Sequence, residues 1–331
     1  MRSQQPVLCL GLFLMLFASH SLASGKEKAE EQGRPLLKAA ADHSLLGPGT
    51  TSPVKVSLTF AIHAAKQMQG TYSWTLASTG DWRKEMTLSD YADLQIGRNS
   101  TVWEQRTLDF DPLQAMWAKA VFENFQYLNN PDDVIEKYFT TADHHVDLRC
   151  LDMSRDKKAQ TLCFDQHGNL VRADINELNM TFEYSDYGQV GQKFLAHQVI
   201  GKREGRVILE GTIDAVETNA QSDPKIFEPP AGSTRRPGCF TPTLPKIAKK
   251  VFPQYPDAAR NSRQQGTVII FATIASDGSV RNPQVIQTIG KDLDEASLTA
   301  VRAWHYEPAK CGAAPTDFDT AISVKYSIQA R

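Results

Sequence analysis

The sequence lacks a surplus of charge of either sign. Its 331 residues carry 36 Lys and Arg against 38 Asp and Glu, a formal net charge of −2. A chain this close to neutrality lacks the basic excess of nucleic-acid-binding proteins, and 41% hydrophobic residues are too many for a disordered protein. We therefore expect a folded protein with no nucleic-acid partner, and the length favours two domains.

Catalytic signatures are also absent. The sequence has no GxSxG nucleophile elbow, no Walker phosphate-binding loop and no HExxH zinc motif. One polar cluster, Asp143, His144, His145 and Asp147, could hold a metal in an enzyme, because His145 and Asp147 share a face of a strand. No second His or Cys group stands at a ligand-like spacing, so we predict no enzyme, no cofactor and no metal. The metal-dependent enzyme is kept as an alternative hypothesis.

The N-terminus resembles a secretory signal. Met1 and Arg2 are followed by an apolar run, Val7–Ala18, and then by the small-residue site Ser21–Leu22–Ala23. The run has 12 residues, whereas a membrane-spanning helix needs roughly 20. We predict a signal peptide over residues 1–23 that is cleaved to leave Ser24 first; an uncleaved membrane anchor is the alternative.

Four cysteines follow this segment, and four cysteines allow three pairings. Cys150 and Cys163 end two strand-like runs that flank a polar turn, so a hairpin would place them face to face. Cys239 and Cys311 would then close a long loop. Four free thiols or a zinc site are the alternatives, although no CxxC spacing supports zinc.

The pattern along the chain indicates an α+β protein. Residues 24–53 are predicted to be a lead-in segment before the first domain, with a short helix over 35–46. Residues 54–221 are predicted to form an antiparallel sheet. Apolar residues at helical spacing within 111–130 predict a helix packed on that sheet. Residues 222–239, rich in proline, are predicted to be a linker.

Residues 240–331 form a compact alternation of elements. Alternation in the last strand places Ile322, Val324 and Tyr326 on one face, so we expect that face buried and the other wet. The pattern predicts two helices and three strands, over 255–263, 293–306, 266–275, 280–288 and 318–329.

The C-terminal region contains a series of motifs, which are Tyr255-Pro256, Ala259-Arg260, Gly266–Val268, Asp277-Gly278, Leu293–Ser297, Trp304 and Tyr306 with Pro308-Ala309. Together they resemble the C-terminal domain of the TonB family of energy transducers. The resemblance implies two helices on a three-stranded sheet, to whose edge an extended peptide of an outer-membrane transporter, the TonB box, adds as a strand.

The same resemblance implies a partner-binding site. The family's contact segment begins with Gln, and this chain has Phe252 there. Core and turn roles for Tyr255, Pro256 and Trp304 are an equal alternative to peptide contact. The implied partner-binding residues are Phe252, Pro253, Gln254, Tyr255, Pro256, Ile322, Val324 and Tyr326.

The first domain contains three short segments of interest, residues 70–74, 82–86 and 101–103. They resemble the early strands of LolA-like domains, which are curved half-barrel sheets around apolar ligands. The resemblance implies an apolar ligand, such as a lipid or lipoprotein chain, in this domain; a sheet simply covered by its own helix is the alternative.

Together these resemblances favour a periplasmic binding or adaptor protein whose C-terminal domain captures an extended peptide or another envelope protein. A true transducer, anchored in the inner membrane, is the alternative. It would need the family's anchor helix, in which a Ser and a His lie four residues apart, but here Leu16 precedes His20. An exposed edge strand also permits a homodimer.

Overall fold

The fold is mixed α+β, as the sequence predicts. In the computed structural model the described residues are 25–47, 53–64, 67–143, 146–155, 158–218 and 223–328. Within these ranges a large antiparallel sheet forms the first part of the chain, and a small three-stranded sheet with two helices forms the last.

The large sheet has thirteen strands in the described ranges, in the order β13-β5-β4-β3-β2-β1-β12-β11-β10-β9-β8-β7-β6. Two meanders, β1 to β5 and β6 to β12, join because β1 pairs with β12. The strands are β1 Val54–His63, β2 Gln67–Leu76, β3 Trp82–Leu88, β4 Tyr91–Arg98, β5 Thr101–Arg106, β6 Val134–Asp143, β7 Val146–Arg155, β8 Lys158–Phe164, β9 Leu170–Ile175, β10 Met180–Val190, β11 Lys193–Arg203, β12 Arg206–Thr218 and β13 Thr234–Pro237.

A helix inside this connectivity covers one face of the sheet. This helix, α2, is Leu113–Gln126 and lies within the predicted interval. An earlier helix near the N-terminus is α1, Gly25–His43. The ring of Phe122 lies 5.2 Å from that of Tyr72 and 5.8 Å from that of Trp74. Alternate residues of β1 complete the core: Val54, Val56, Leu58, Phe60 and Ile62.

Helix α1, Gly25–His43, is longer than the predicted helix over residues 35–46. Proline is best tolerated in a first helical turn, so the sequence suggests a start at Pro35. The helix instead begins ten residues earlier and packs closely on β6. A Cβ atom on Gly33 would lie 2.8 Å from the Ile135 side chain, so the helix backbone packs directly against that side chain.

Part of the segment predicted as a linker is structured. Pro224–Phe227 is a short 3-10 helix, and β13 pairs with β5 at the edge of the large sheet. Just after β13, the ring of Phe240 packs 4.9 Å from that of Trp74 and 5.8 Å from that of Trp82. The chain therefore stays attached to the first domain up to the start of the second.

The C-terminal domain has two helices on a three-stranded antiparallel sheet of order β16-β15-β20, as predicted. Two short strand pairs, β14 with β17 and β18 with β19, flank it. The elements are β14 Lys246–Lys249, α3 Asp257–Asn261, β15 Gly266–Ile274, β16 Val280–Gln287, α4 Lys291–Arg302, β17 His305–Glu307, β18 Ala309–Cys311, β19 Ala314–Thr316 and β20 Phe318–Tyr326.

The prediction that the second face of the last strand is exposed to solvent is wrong at Ala321, which is buried, and confirmed at Lys325, which is exposed. One face of this small sheet packs on its own helices, but Ile269, Phe271 and Ala321 on the other face are also buried. Ile269 and Ala321 belong to the core of the first domain. The central strand β15 is an apolar run over 268–272, which is typical of a strand covered on both faces.

Both expected disulfides are present. Cys150 and Cys163 are directly opposite in the β7–β8 ladder, with Cα atoms 4.1 Å apart. Cys239 and Cys311 have Cα atoms 5.8 Å apart and tie the end of the β13 segment to β18. In the part of the chain that the structure describes, no helix is long and apolar enough to cross a membrane.

Candidate functional site

Strand β20 is an edge of the C-terminal sheet. Among the described residues it pairs with β15 alone, so no strand covers its outer edge. The side chains of Ile322, Val324 and Tyr326 are buried in the domain core, and the Tyr326 and Ser297 hydroxyls lie 2.9 Å apart. A partner at this edge would therefore meet backbone N–H and C=O groups more than these three side chains.

The segment 252–256 is fixed to the same domain by two aromatic side chains. The indole N–H of Trp304 donates to the Val251 carbonyl at 2.7 Å. The ring of Tyr255 packs edge-on against that of Tyr326, 5.2 Å away, and its hydroxyl donates to the carbonyl of Gln264. The ring contact places the segment beside the C-terminal end of β20.

Phe252 stands out from this segment. Its side chain is 78% exposed, and the ammonium of Lys250 lies 5.7 Å from its ring. Gln254 is also exposed, whereas Pro253 and Pro256 are half-buried. An exposed phenylalanine on an anchored, proline-rich segment loses little conformational entropy on binding, so it is a suitable contact for a partner.

A buried ion network lies between the two domains. The Lys119 ammonium in α2 donates to Asp93 at 2.6 Å and to Asp111 at 2.7 Å. The Tyr91 hydroxyl donates to Asp111, and Arg106 reaches the same carboxylate at 3.4 Å. These groups come from β4, β5, α2 and the loop before α2, so only the folded chain brings them together.

The network continues into the C-terminal domain through Asp319. Arg106 donates to Glu104 at 2.9 Å and to Asp319 at 3.1 Å, and Arg236 donates to Asp319 at 3.0 Å. Arg236 also forms an ion pair with Glu104 at 3.3 Å. The second oxygen of Asp319 accepts from Thr273 at 2.7 Å. Asp319 lies in β20 and both arginines in the first sheet, so the ion pairs join the domains.

Burial governs the pKa values in this network. It raises the pKa of Asp93, where Lys119 opposes it, and the pKa of Glu104, where Arg236 opposes it. Burial would also raise the pKa of Asp111, but Lys119 and Arg106 outweigh it and hold that pKa below the ordinary value. The carboxylates thus differ in how readily they take a proton.

A cavity of about 290 Å³ adjoins the network, between α2, the large sheet and the C-terminal domain. Its volume is near the lower end for ligand pockets, about 300–1,000 Å³. Apolar and aromatic lining includes Tyr72, Trp82, Met116 and Leu162 from the first domain and Phe318 from the second. Charged groups line it too, so it is not the purely apolar cavity that a LolA-like resemblance implies.

Two opposite charges outside the network face this cavity. The ammonium of Lys84 lies over the rings of Phe240 and Trp82, at 4.9 and 5.5 Å. Burial lowers the pKa of Lys84 to about 8, although the Glu123 carboxylate raises it in part. Burial likewise raises the pKa of Glu123, and Lys84 opposes that shift.

The polar cluster predicted as an alternative metal site cannot be assembled from the described side chains. His144 and His145 lie outside the described residues, and of the Asp143 side chain nothing is described. Across the ranges that the structure describes, no group of three His, Cys, Asp or Glu side chains has the arrangement of a metal site.

The C-terminal geometry agrees with a comparison of family models. Residues 252–328 match the C-terminal domain of the Gram-negative bacterial TonB protein. The match includes the exposed Phe252 segment, both helices and the whole of β20. The chain therefore carries a TonB-type domain at its C-terminus.

Curated relatives match over the same part of the chain. The TonB protein of Salmonella typhimurium is 32% identical over 83 residues, which are 25% of this chain and 34% of that protein. The tonB2 protein of Pseudomonas aeruginosa is 30% identical over 77 residues, 23% of this chain and 28% of that protein. The chain thus spans about a third of the length of the relatives it matches.

The first domain has a fold neighbour among solved structures. A LolA superfamily protein from Nitrosomonas europaea superposes with a TM-score of 0.41 at 10% sequence identity, covering 59% of this chain and 96% of that one.

The predicted site residues fall into two groups. Phe252, Gln254 and Tyr255 lie at the surface or half-buried on the TonB-type domain, whereas the β20 residues contribute only backbone at its edge. The ion network was not predicted, and a cavity was expected only as an apolar one, from the LolA-like resemblance. The sequence does not mark Lys119 or Asp319 as members of an ion network, because their ion-pair partners lie on elements that are distant in the chain.

Proposed function

We propose that this is an envelope binding protein whose TonB-type domain captures an extended peptide by strand addition at β20. The observation that carries the proposal is the outer edge of β20, which no strand covers in the described ranges, on a domain whose two sheet faces are both packed. Because the two faces of the C-terminal sheet are packed, the outer edge of β20 is the surface of this sheet that we assign to a partner. Strand addition needs unpaired backbone groups and no catalytic side chain, so a binding role, not an enzymatic one, fits the site.

Phe252 supplies the side-chain contact that strand addition by itself lacks. Main-chain hydrogen bonds give affinity with little discrimination, and side-chain contacts give specificity. The ring contact between Tyr255 and Tyr326 brings the Phe252 segment to the end of β20. A peptide lying along β20 can thus place one apolar side chain against Phe252, and the exposed Lys250 and Lys325 favour acidic residues in that peptide.

The family similarity supports one class of partner. The peptide we propose is a TonB-box-like segment of an outer-membrane transporter, or an equivalent extended segment of another envelope protein. Two disulfides suit an oxidising compartment, which supports the periplasm as the site of action.

The binding test uses a fluorescent synthetic peptide that carries the TonB box of an outer-membrane transporter from the same host. We expect saturable binding to the full protein by fluorescence anisotropy. The matched control is the same peptide N-methylated at alternate backbone amides, which cannot complete the ladder. Equal binding of both peptides would show that the edge is not used.

Phe252→Ala tests the side-chain contact. Burying a phenylalanine contributes about 1.5–3 kcal/mol, so the dissociation constant should rise about tenfold or more. Leu108→Ala removes another exposed apolar side chain, 39% exposed, in the first domain and should leave the affinity unchanged. Unchanged affinity of the Phe252 variant would remove this residue from the proposed site.

Simple measurements test two alternative hypotheses, a membrane-anchored transducer and a homodimer. A transducer anchored in the inner membrane would retain its N-terminal segment, and the intact mass of protein purified from the native envelope distinguishes this from a chain that begins at Ser24. A homodimer formed through β20 would be dispersed by the same peptide, which sedimentation velocity detects.

A further inference from the structure

The polar groups that line the interdomain cavity include three that lie outside the ion network. They are the Lys84 ammonium from β3, the Glu123 carboxylate from α2 and the Tyr72 hydroxyl from β2. Within the described residues, none of the three has a hydrogen-bond or ion-pair partner at bonding distance, whereas every charged side chain of the network has at least one. Tyr72 is only 3% exposed, so its hydroxyl has little access to solvent except through the cavity.

The two charges are close enough to influence each other but do not touch. Lys84 and Glu123 shift each other's pKa, yet no ion pair forms between them within 4.0 Å. A gap therefore separates an ammonium from a carboxylate on the wall of one cavity. Both side chains are half-buried. Charges that are partly removed from water without a partner are costly, and a ligand that satisfies both would recover part of that cost.

The chemistry of the gap restricts the ligand. A neutral apolar molecule would leave both charges unpaired, and an ion of one sign would leave one of them unpaired. A zwitterion satisfies both, with its carboxylate on Lys84 and its ammonium on Glu123. Apolar side chains also line the cavity, including Met116, Leu162 and Phe318, and they suit an apolar side chain of the ligand.

We infer that the cavity binds the zwitterion of an apolar amino acid, held between Lys84 and Glu123 in a pocket lined by both domains. The volume of about 290 Å³ is about twice that of a roughly 150 Å³ cavity that holds benzene, which is suited to a single amino acid and is small for a lipid with several acyl chains. Residues 318–321 at the start of β20 line the cavity, whereas the Phe252 segment lies beside the C-terminal end of that strand. Amino-acid binding can therefore be tested without the peptide.

Three related probes test the head-group requirement by isothermal titration calorimetry on the full protein. L-phenylalanine carries both charges, N-acetyl-L-phenylalanine only the carboxylate, and L-phenylalaninamide only the ammonium. A charged hydrogen bond is worth about 1.5–3 kcal/mol, so phenylalanine should bind about tenfold or more tighter than either blocked form. Equal binding of the three, or no binding of phenylalanine at millimolar concentration, overturns the inference.

Two variants test which protein side chain binds the carboxylate of the ligand and which binds its ammonium. In Lys84→Met the preference for phenylalanine over phenylalaninamide should disappear, and in Glu123→Gln the preference over the N-acetyl form should disappear. Lys325→Met, which removes an exposed lysine on β20, is the matched control and should bind all three probes as the unmodified protein does. Retention of both preferences in both variants would place the ligand elsewhere.

Discussion

Asp319 is the side chain through which the C-terminal sheet enters the buried ion network, and its removal tests whether that network holds the domains together. It is 12% exposed and accepts hydrogen bonds from Arg236 at 3.0 Å, Arg106 at 3.1 Å and Thr273 at 2.7 Å. Charge-assisted hydrogen bonds contribute about 1.5–3 kcal/mol each. Both arginines keep Glu104 as a second partner, so the loss should be smaller than the sum.

We expect Asp319→Ala to lower the free energy of unfolding by about 3 kcal/mol, the lower end of the range for removing one partner of a buried ion pair. Asp319→Asn keeps the shape and one acceptor oxygen but loses the charge, so its cost should be about half as large. The order of the two variants separates the lost charge from the lost side chain.

Urea unfolding followed by tryptophan fluorescence measures both variants, with the midpoint and slope compared at one pH. The matched control is Asp257→Asn, because Asp257 is 88% exposed and pairs with Arg260 at 3.4 Å on the surface of the same domain. Exposed pairs of this kind contribute about 0.5 kcal/mol or less. If Asp319→Ala unfolded at the midpoint of the control, the network would not stabilise the docking of the domains, and the reasoning would fail.

Two other predictions concern charge burial and the disulfides. Burial lowers the pKa of Lys84 to about 8 from an ordinary 10.5, so between these values the unfolded chain holds the extra proton and stability rises with pH. Lys84→Met should therefore raise the free energy of unfolding by about 3 kcal/mol at pH 7. Urea titrations at a series of pH values should show that the difference between the variant and the unmodified protein vanishes above pH 10.5. A difference that stays constant with pH would contradict this prediction. Replacing Cys239 and Cys311 by Ser opens a 72-residue loop and should cost about 4 kcal/mol, against about 3 kcal/mol for the 13-residue loop of Cys150 and Cys163. Equal losses in thermal unfolding without reductant would show that loop entropy is not the main term.

Local patterns account for the elements that the sequence predicted. The alternation in β20, the stripe of α2 and the hairpin that places Cys150 opposite Cys163 all depend on residues close in the chain. Strand and helix periods are fixed by backbone geometry, so such segments can be recognised before any tertiary contact is known. The same holds for the TonB-type domain, whose motifs lie within 77 residues.

Other features depend on contacts that no local pattern contains. Helix α1 continues through Pro35 because its buried face packs on β6, and the second face of the small sheet is covered because the first domain docks there. In both cases burial of apolar surface outweighs the local signal.

The sequence by itself determined most of the strands and helices, the disulfide hairpin and the TonB-type domain, because each depends on residues that are close together in the chain. Only the tertiary structure decided which charges are paired. Arg106 and Asp319 are 213 residues apart, and Lys84 and Glu123 come from a strand and a helix that meet at one cavity. Electrostatic interactions and desolvation depend on distance in space and on burial, neither of which is encoded in residue spacing, so the network and the cavity could only be found in the folded chain.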